Sequence, residues 1–437
     1  MRRLGLTVLT ILFFSILPHA WGLDQSRILD MLVEKGLDSE QVGMIIQDDN
    51  GKLFTLNETK QLKPASTMKI LTAGTALQSL GKDFEFKTEL LATGAVKYHV
   101  LRGSLYLKAG GDPTFRSISL AQFLANLKSQ GIQSIDGNIV IDDSNYSDIH
   151  TMNMKSWGET PNPGNYPLFV NVDPPSNLAP GSRNWLRAKR RLRRLLELNE
   201  NYVIYQNMTE PDLWTGQDFA LMLHHAKIHV SGKVVRGAIP EGAWSVGSVS
   251  TPLTKVIHDM LKSSNNFYAD MLIRDLAAEA NLRPANVEAG MQFIYDFLAK
   301  VGVSHDDYSL NSGSGFTHRS YITAGALCSV LNYLRDEPEV STVFADSLPI
   351  AGKDGTLRHR MRRTEAQGNI HAKTGYLGTP VSRYKVRDGV VALAGFATSS
   401  AGRNLTFVFL YNGSRSPNLV RSIFDKICVE LVTDPEL

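Results

Sequence analysis

The segment PASTMKILTAGTALQSLG, residues 64–81, organises the rest of the chain. Met68, Leu71, Thr72, Thr75 and Leu77 fall near one face at helical spacing, and Gly81 ends the pattern, so a helix is expected between Pro64 and Gly81. Ser66 and Lys69 stand three apart at its start and therefore share a face. A serine hydroxyl is a weak nucleophile by itself. A neighbouring amine that is neutral part of the time can take its proton, and the free N–H groups of a helix start suit a developing oxyanion.

Working outward, Val42–Ile46 and Leu53–Leu56 flank Asp48-Asp49-Asn50-Gly51, apolar runs around an Asn-Gly turn that predict a hairpin. From Phe84 to Ile141 the pattern is mixed. Leu105–Lys108 reads as a strand, Gly110-Gly111-Asp112-Pro113 as a turn, Leu120–Gly131 as a helix and Gly137–Asp142 as a strand. Residues 144–182 are rich in Pro, Asn, Gly and Ser and read as irregular. RNWLRAKRRLRRLLEL, 183–198, is a basic helix candidate, and a second mixed stretch runs to Gly247. Two amphipathic helices are expected around Ser263-Ser264-Asn265-Asn266. Val390–Phe396 and Leu405–Tyr411 read as paired antiparallel strands, and Leu419–Leu431 as a final helix. The layout predicts an α+β unit built from 23–83 and 248–437, interrupted by a smaller inserted α/β unit at 84–247.

Composition is that of a globular protein. Among 437 residues, 43% are hydrophobic and 20% charged, which excludes a wholly disordered, coiled-coil or fibrous chain. Lys and Arg number 46 against 43 Asp and Glu, so the chain as a whole is not built to bind polyanions. Residues 1–22, MRRLGLTVLTILFFSILPHAWG, have the basic start, short apolar run and small-residue end of a cleaved secretory signal peptide, which implies export to the periplasm. The two cysteines, Cys328 and Cys428, allow at most one internal disulfide, and Cys328 reads as a buried small residue. No Cys/His cluster has zinc spacing, and His224-His225 lacks an HExxH frame. The basic run Arg183–Arg194 reads either as a solvated helix face or as a contact for anionic wall polymer or phospholipid headgroups.

Two further motifs complete the one at Ser66. Ser264-Asn265-Asn266 is an S-x-N between helices: its hydroxyl can relay a proton to a leaving amine, and its amide can position the lysine and an acyl carbonyl. Lys373-Thr374-Gly375 offers a fixed positive charge, a hydroxyl for a carboxylate, and a glycine that lets a strand approach a ligand closely. Singly each recurs by chance. In the order S-x-x-K, S-x-N, K-T-G, in a chain with an export signal, they resemble the set of penicillin-binding proteins and class A β-lactamases.

The likeness extends to PASTMK at 64–69, GGDPTF at 110–115, SSNN at 263–266, NSGSG at 311–315, LPIAGKDGTL at 348–357 and HAKTG at 371–375. These segments resemble the penicillin-binding protein 4-type D-alanyl-D-alanine carboxypeptidase/endopeptidases of peptidase family S13. The resemblance implies a penicillin-binding-protein/serine β-lactamase-like transpeptidase domain, an antiparallel sheet with helices on both sides, and an insert directly after the S-x-x-K helix. Some 198 positions separate Ser66 from Ser264, as such an insert requires. The stretch 144–206 does not look like the family, so the outer part of the insert is expected to be reduced or divergent.

Carried over by position, the resemblance makes Ser66 the acylated nucleophile and Lys69 its base, with Ser264, Asn266 and Lys373 completing the catalytic set. Thr374, Gly375 and Tyr376 would bind substrate, and the N–H groups of Ser66 and Tyr376 would form the oxyanion hole. The implied substrates are peptidoglycan peptides and, as mimics, β-lactams, with no metal or organic cofactor. Asn311 departs from the family's Asp and Tyr376 from its Ser or Thr. The Tyr376 hydroxyl sits further from the backbone than that of Ser or Thr, which is expected to weaken the grip on a free D-Ala carboxylate and to favour cross-linked substrate. The rivals are a β-lactamase, which would need a deacylating Glu in an E-x-x-L-N-like segment that is absent here, and a non-catalytic penicillin sensor, which the three intact motifs disfavour.

Overall fold

The computed structural model describes residues 25–146, 151–152, 208–209, 211–283, 285–382 and 385–435. The segment 1–22 and the basic run 183–194 lie outside the described residues.

The expected hairpin forms from strands Val42–Asp48 and Gly51–Leu56, with Asp48 accepting from the N–H groups of Asn50 and Gly51 to shape its turn. It joins strands from the far end of the chain in a five-stranded antiparallel sheet. From the cleft edge inward the order is Ile370–Ser382, Lys385–Thr398, Asn404–Arg415, Val42–Asp48 and Gly51–Leu56.

Both faces of this sheet are buried, and strand alternation sorts its residues cleanly between them. Ile45, Ala392, Ala394, Val408 and Leu410 face a helical layer containing Met68–Leu80, Leu253–Ser263, Asn266–Glu279 and Ala324–Asp336. Met44, Ile46, Val391, Leu393, Phe407, Phe409 and Tyr411 face Gln25–Glu34 and Pro417–Thr433 on the other side. The final helix thus extends a little beyond both ends of the expected 419–431.

The helix after Ser66 differs from the one-faced reading. Every residue from Met68 to Leu77 is buried, threonines included, because helices and sheet surround it. The same holds for Tyr268–Ala278 in the helix after the S-x-N motif, which the sequence pattern read as amphipathic. Their few polar side chains are therefore held in the core, where Thr72 donates to the Gly313 carbonyl and Asp275 accepts from Tyr146 through one of its oxygens.

The intervening residues build a second sheet, ordered Val234–Arg236, Ile139–Asp142, Leu105–Lys108, Glu85–Ala92 and Trp244–Pro252. Helices Ser117–Ser129 and Pro211–His225 share its apolar core, including Leu107, Phe123, Ile141 and Phe219. Glu85–Ala92 pairs along its whole length with Trp244–Pro252, so the chain leaves and returns side by side. GGDPTF lies at this junction, where Asp112 accepts from Thr114 and Thr251 at 2.8 and 2.6 Å.

Both cysteines are buried and free. Burial pushes the Cys328 thiol up to about 12, which makes it unreactive at neutral pH. Among the described residues no cluster of His, Cys, Asp or Glu has the geometry of a metal site, and no helix is long and apolar enough to cross a membrane.

Candidate active site

Ser66 sits in a short 3-10 turn, Ala65–Thr67, that feeds directly into the Met68–Leu80 helix. Ala65 has φ +48, a strained value for a residue with a β-carbon. It is held by close packing: a β-carbon at Gly315 would lie 1.9 Å from the Ala65 carbonyl oxygen, and one at Gly375 would lie 2.8 Å from that of Pro64. The NSGSG loop and the K-T-G strand therefore press on the nucleophile turn, and glycine is required at both contacts.

One helical step on, the Lys69 side chain is fully buried. Its Nζ donates to Ser66 Oγ at 3.0 Å, to Asn266 Oδ1 at 2.7 Å and to the Ser314 carbonyl at 2.8 Å. Burial pushes this lysine down to about 7, with the Asp270 carboxylate pulling the other way. Asp270 is buried one turn beyond Asn266, and burial raises its own pKa while Lys69 opposes the rise. It accepts from the Ser314 N–H at 2.9 Å. Ser314 thus joins the two charges, its N–H on the acid and its carbonyl on the ammonium.

Ser264 caps the Leu253–Ser263 helix in a left-handed conformation, φ +57, a second strained non-glycine position at the cleft. Its hydroxyl accepts from Lys373 Nζ at 2.8 Å. Lys373 is fully buried too and also donates to the Thr374 carbonyl at 2.8 Å. Burial, together with the positive charge of Lys69, depresses its pKa well below that of an ordinary lysine. Two lysines from distant segments therefore each hold one motif serine.

On the cleft-edge strand, Thr374 Oγ1 lies 2.8 Å from Thr356 Oγ1 of the LPIAGKDGTL segment. That segment is fixed by Asp354, which accepts from the Ile350 N–H at 2.8 Å and from Lys262 at 2.7 Å. Tyr376 is half-buried, its hydroxyl 3.4 Å from the Gly378 carbonyl and its ring beneath the Arg421 guanidinium at 5.0 Å. Asn311 is occupied locally, its carboxamide accepting from Ser320 at 3.0 Å.

Ser66, Lys69 and Asn266 thus form one hydrogen-bonded group and Ser264 and Lys373 a second, the two lysines close enough to feel each other's charge, with Thr374, Gly375 and Tyr376 on the adjoining strand. Sequence reasoning did not single out Asp270, Ser314, Thr356 or Arg421. An acid inside the apolar run Phe267–Leu276 was the one available signal for Asp270. The Ser314 carbonyl, 245 residues from Lys69, had none.

With this geometry in place, comparison with known proteins is direct. The chain is 27% identical over 434 residues to the D-alanyl-D-alanine carboxypeptidase DacB of Haemophilus influenzae, covering 89% of this chain and 86% of that protein. The crystal structure of penicillin binding protein 4 (dacB) from the same organism superposes with a TM-score of 0.73 at 24% identity, covering 92% of this chain and 99% of that one. A crystal structure of the same protein complexed with a novel β-lactam gives a TM-score of 0.68 at 25% identity, covering 93% of this chain and 99% of that one. Residues 25–167 and 196–431 match the family model described as D-Ala-D-Ala carboxypeptidase 3 (S13), and the chain is a member of that family, a serine D,D-peptidase.

Proposed function

We propose that this chain hydrolyses D-alanyl amide bonds of peptidoglycan peptides through an acyl-enzyme on Ser66, acting as both D,D-carboxypeptidase and D,D-endopeptidase. The observation that carries the reading is the contact of Lys69 Nζ with Ser66 Oγ at 3.0 Å, made by a lysine that burial brings to about 7. A base near the working pH combines a useful neutral fraction with a useful proton affinity.

In this mechanism neutral Lys69 takes the Ser66 proton as Oγ attacks the scissile carbonyl. The N–H groups of Ser66 and Tyr376 receive the oxyanion, an arrangement supported by the close approach of Gly375 to the Pro64–Ala65 backbone. Asn266 holds Lys69 on target. Ser264, hydrogen-bonded to Lys373, hands its proton to the leaving amine as the C–N bond breaks and is reprotonated from the Lys69 ammonium, which leaves Lys69 neutral again. Water then attacks the ester, its proton returning through Lys69 to Ser66 Oγ. Lys373 and the Thr374 hydroxyl supply charge and a donor for the leaving group's carboxylate. None of these steps requires a metal or organic cofactor.

β-Lactams present the same amide in a strained ring and acylate the same serine, a reading supported by the β-lactam complex of the Haemophilus protein. The signal-like residues 1–22 support export to the periplasm, where the polymer lies. The Arg183–Arg194 run supports a salt-sensitive contact with anionic wall polymer or membrane. Replacing four of its arginines should weaken binding to anionic liposomes or sacculi at low salt, and unchanged binding would end that reading.

The central test is incubation of wild type and Ser66→Ala with a fluorescent penicillin and with purified muropeptides. Wild type should label covalently and release D-Ala and uncrosslinked monomers, whereas Ser66→Ala should do neither. Labelling of the variant at the wild-type rate would refute the assignment. Labelling of wild type without muropeptide turnover would point to a penicillin sensor.

A further inference from the structure

The K-T-G strand presents two faces. The Gly375 side packs on the nucleophile turn, while Thr374 and Tyr376, two residues and so roughly 7 Å apart along the strand, lie on the face covered by the Pro417–Thr433 helix. That helix contributes Arg421, whose guanidinium carbon lies 5.0 Å from the centroid of the Tyr376 ring.

A half-buried guanidinium normally finds a carboxylate. Arg421 does not. Asp425, one turn further along, is held by Arg360 through Nε at 3.0 Å and Nη2 at 2.6 Å. Among the described residues Arg421 keeps a single long hydrogen bond, 3.5 Å to Asn418 Oδ1, besides the face of the tyrosine. Two guanidinium groups thus share one acid, and a positive charge is left over beside the strand that binds the leaving group. Burial and the charge of Arg360 both work against the protonated form of Arg421, and Tyr376 and Asp425, acting through space, offset them only in part. An incoming anion would relieve both.

We propose that Arg421 is a specificity-determining residue that receives the substrate carboxylate next to the scissile nitrogen, with the Tyr376 ring as the platform that holds the guanidinium at the strand edge. The inference rests on the D,D-peptidase reading. It assigns Tyr376 a role that its hydroxyl does not fill. A serine or threonine at 376 would donate one hydrogen bond to the carboxylate, whereas the tyrosine seats an arginine that supplies a charge and two parallel donors. The weakening expected from the missing short hydroxyl is thereby offset. The same chemistry serves a terminal D-Ala and a cross-linked diamino acid, provided the leaving amine carries an adjacent carboxylate.

The test measures kcat/KM for a peptide ending in D-Ala-D-Ala, for the same peptide with a C-terminal amide, and for a cross-linked dimer, using wild type, Arg421→Gln and Arg421→Lys. Wild type should prefer the free acid. Arg421→Gln should lose roughly 10- to 100-fold on the free acid, the worth of a hydrogen bond to a charged group, and less than about threefold on the amide, where that interaction has no partner. Arg421→Lys should recover part of the loss while leaving the amide unchanged. A fall on the dimer matching that on the free acid would identify the cross-link carboxylate as read in the same way; a fall confined to the pentapeptide would restrict the role to terminal D-Ala. Equal losses on acid and amide, or no loss on either, would overturn the proposal. Equal wild-type rates on acid and amide would overturn it while leaving the D,D-peptidase reading intact, whereas a wild type that cleaves none of the three substrates would refute that reading itself.

Discussion

The two walls of the cleft are built on opposite plans. On the helical wall the polar groups nearest Ser66 hold one another. Lys69 Nζ lies within hydrogen-bond reach of Ser66, Asn266 and Ser314, and Ser314 in turn holds Asp270. On the strand wall the groups are loosely engaged. Thr374 has another hydroxyl for a partner, Tyr376 a contact of 3.4 Å, and Arg421 a ring face and a contact of 3.5 Å. In the proposed mechanism the helical wall performs proton transfer, which needs fixed geometry before substrate arrives. The wall that reads the substrate leaves donors free for it. Preorganisation on one side and vacancy on the other is the division of labour that differential binding of a transition state requires.

The contrast can be broken most severely on the helical wall. Lys69→Ala removes the one base in contact with the proposed nucleophile among the described residues, so acylation by a fluorescent penicillin should slow by roughly 10²- to 10⁴-fold. A rate near that of wild type would mean that the proton leaves by another route. Gly375→Ala strikes where the walls meet. Its β-carbon would lie 2.8 Å from the Pro64 carbonyl oxygen and 2.9 Å from the Ala392 Cβ. Separating strand and nucleophile turn by a fraction of an ångström should cost roughly tenfold to a hundredfold in acylation and about 1–3 kcal/mol in stability. Stopped-flow acylation and thermal melts measure the two effects separately.

A subtler change addresses the charge balance of the helical wall. Because Lys69 is held near about 7, wild-type acylation should rise with pH through that region and level off once the amine is neutral. Asp270 raises the lysine's pKa, so Asp270→Asn, which keeps an acceptor for the Ser314 N–H, should move the rising limb to lower pH. The neighbouring charges that remain are Lys373 and Arg274, both positive, and they push the same way. A limb that stays in place or moves to higher pH would detach Asp270 from the base. The smallest effect is expected at Asn311. Its side chain is occupied by Ser320 at 3.0 Å. Asn311→Asp should therefore change kcat/KM by less than about threefold, the range of substitutions that leave contacts in place. A larger change would show that the departure from the family's aspartate matters to the chemistry.

These walls were unequally legible in advance. Ser66 and Lys69 stand one helical step apart, so local geometry alone brings them together. Ser264, Asn266 and Lys373 were legible because short motifs carry them in a fixed order. The flanking helices and terminal strands followed from apolar periodicity, although the helix at Met68–Leu80 is buried all round rather than on one face. Arg421 had no such signal. It sits in an ordinary amphipathic helix, and its meaning comes from Tyr376 below it and from Asp425 being already taken by Arg360.

The sequence by itself therefore determined the candidate machinery: a serine with an amine one turn away, a second serine and an amide between two helices, and a lysine on a glycine-bearing strand. Those identities depend on covalent spacing and side-chain chemistry, which need no fold to be read. Only the tertiary structure decided how the amine becomes a base and where the spare charge lies. Burial depends on what surrounds a residue from every direction, and it lowers Lys69 to about 7. The pairing of charges depends on which arginine reaches a shared carboxylate first, and the packing of the last helix against the edge strand gives Asp425 to Arg360 and leaves Arg421 over Tyr376.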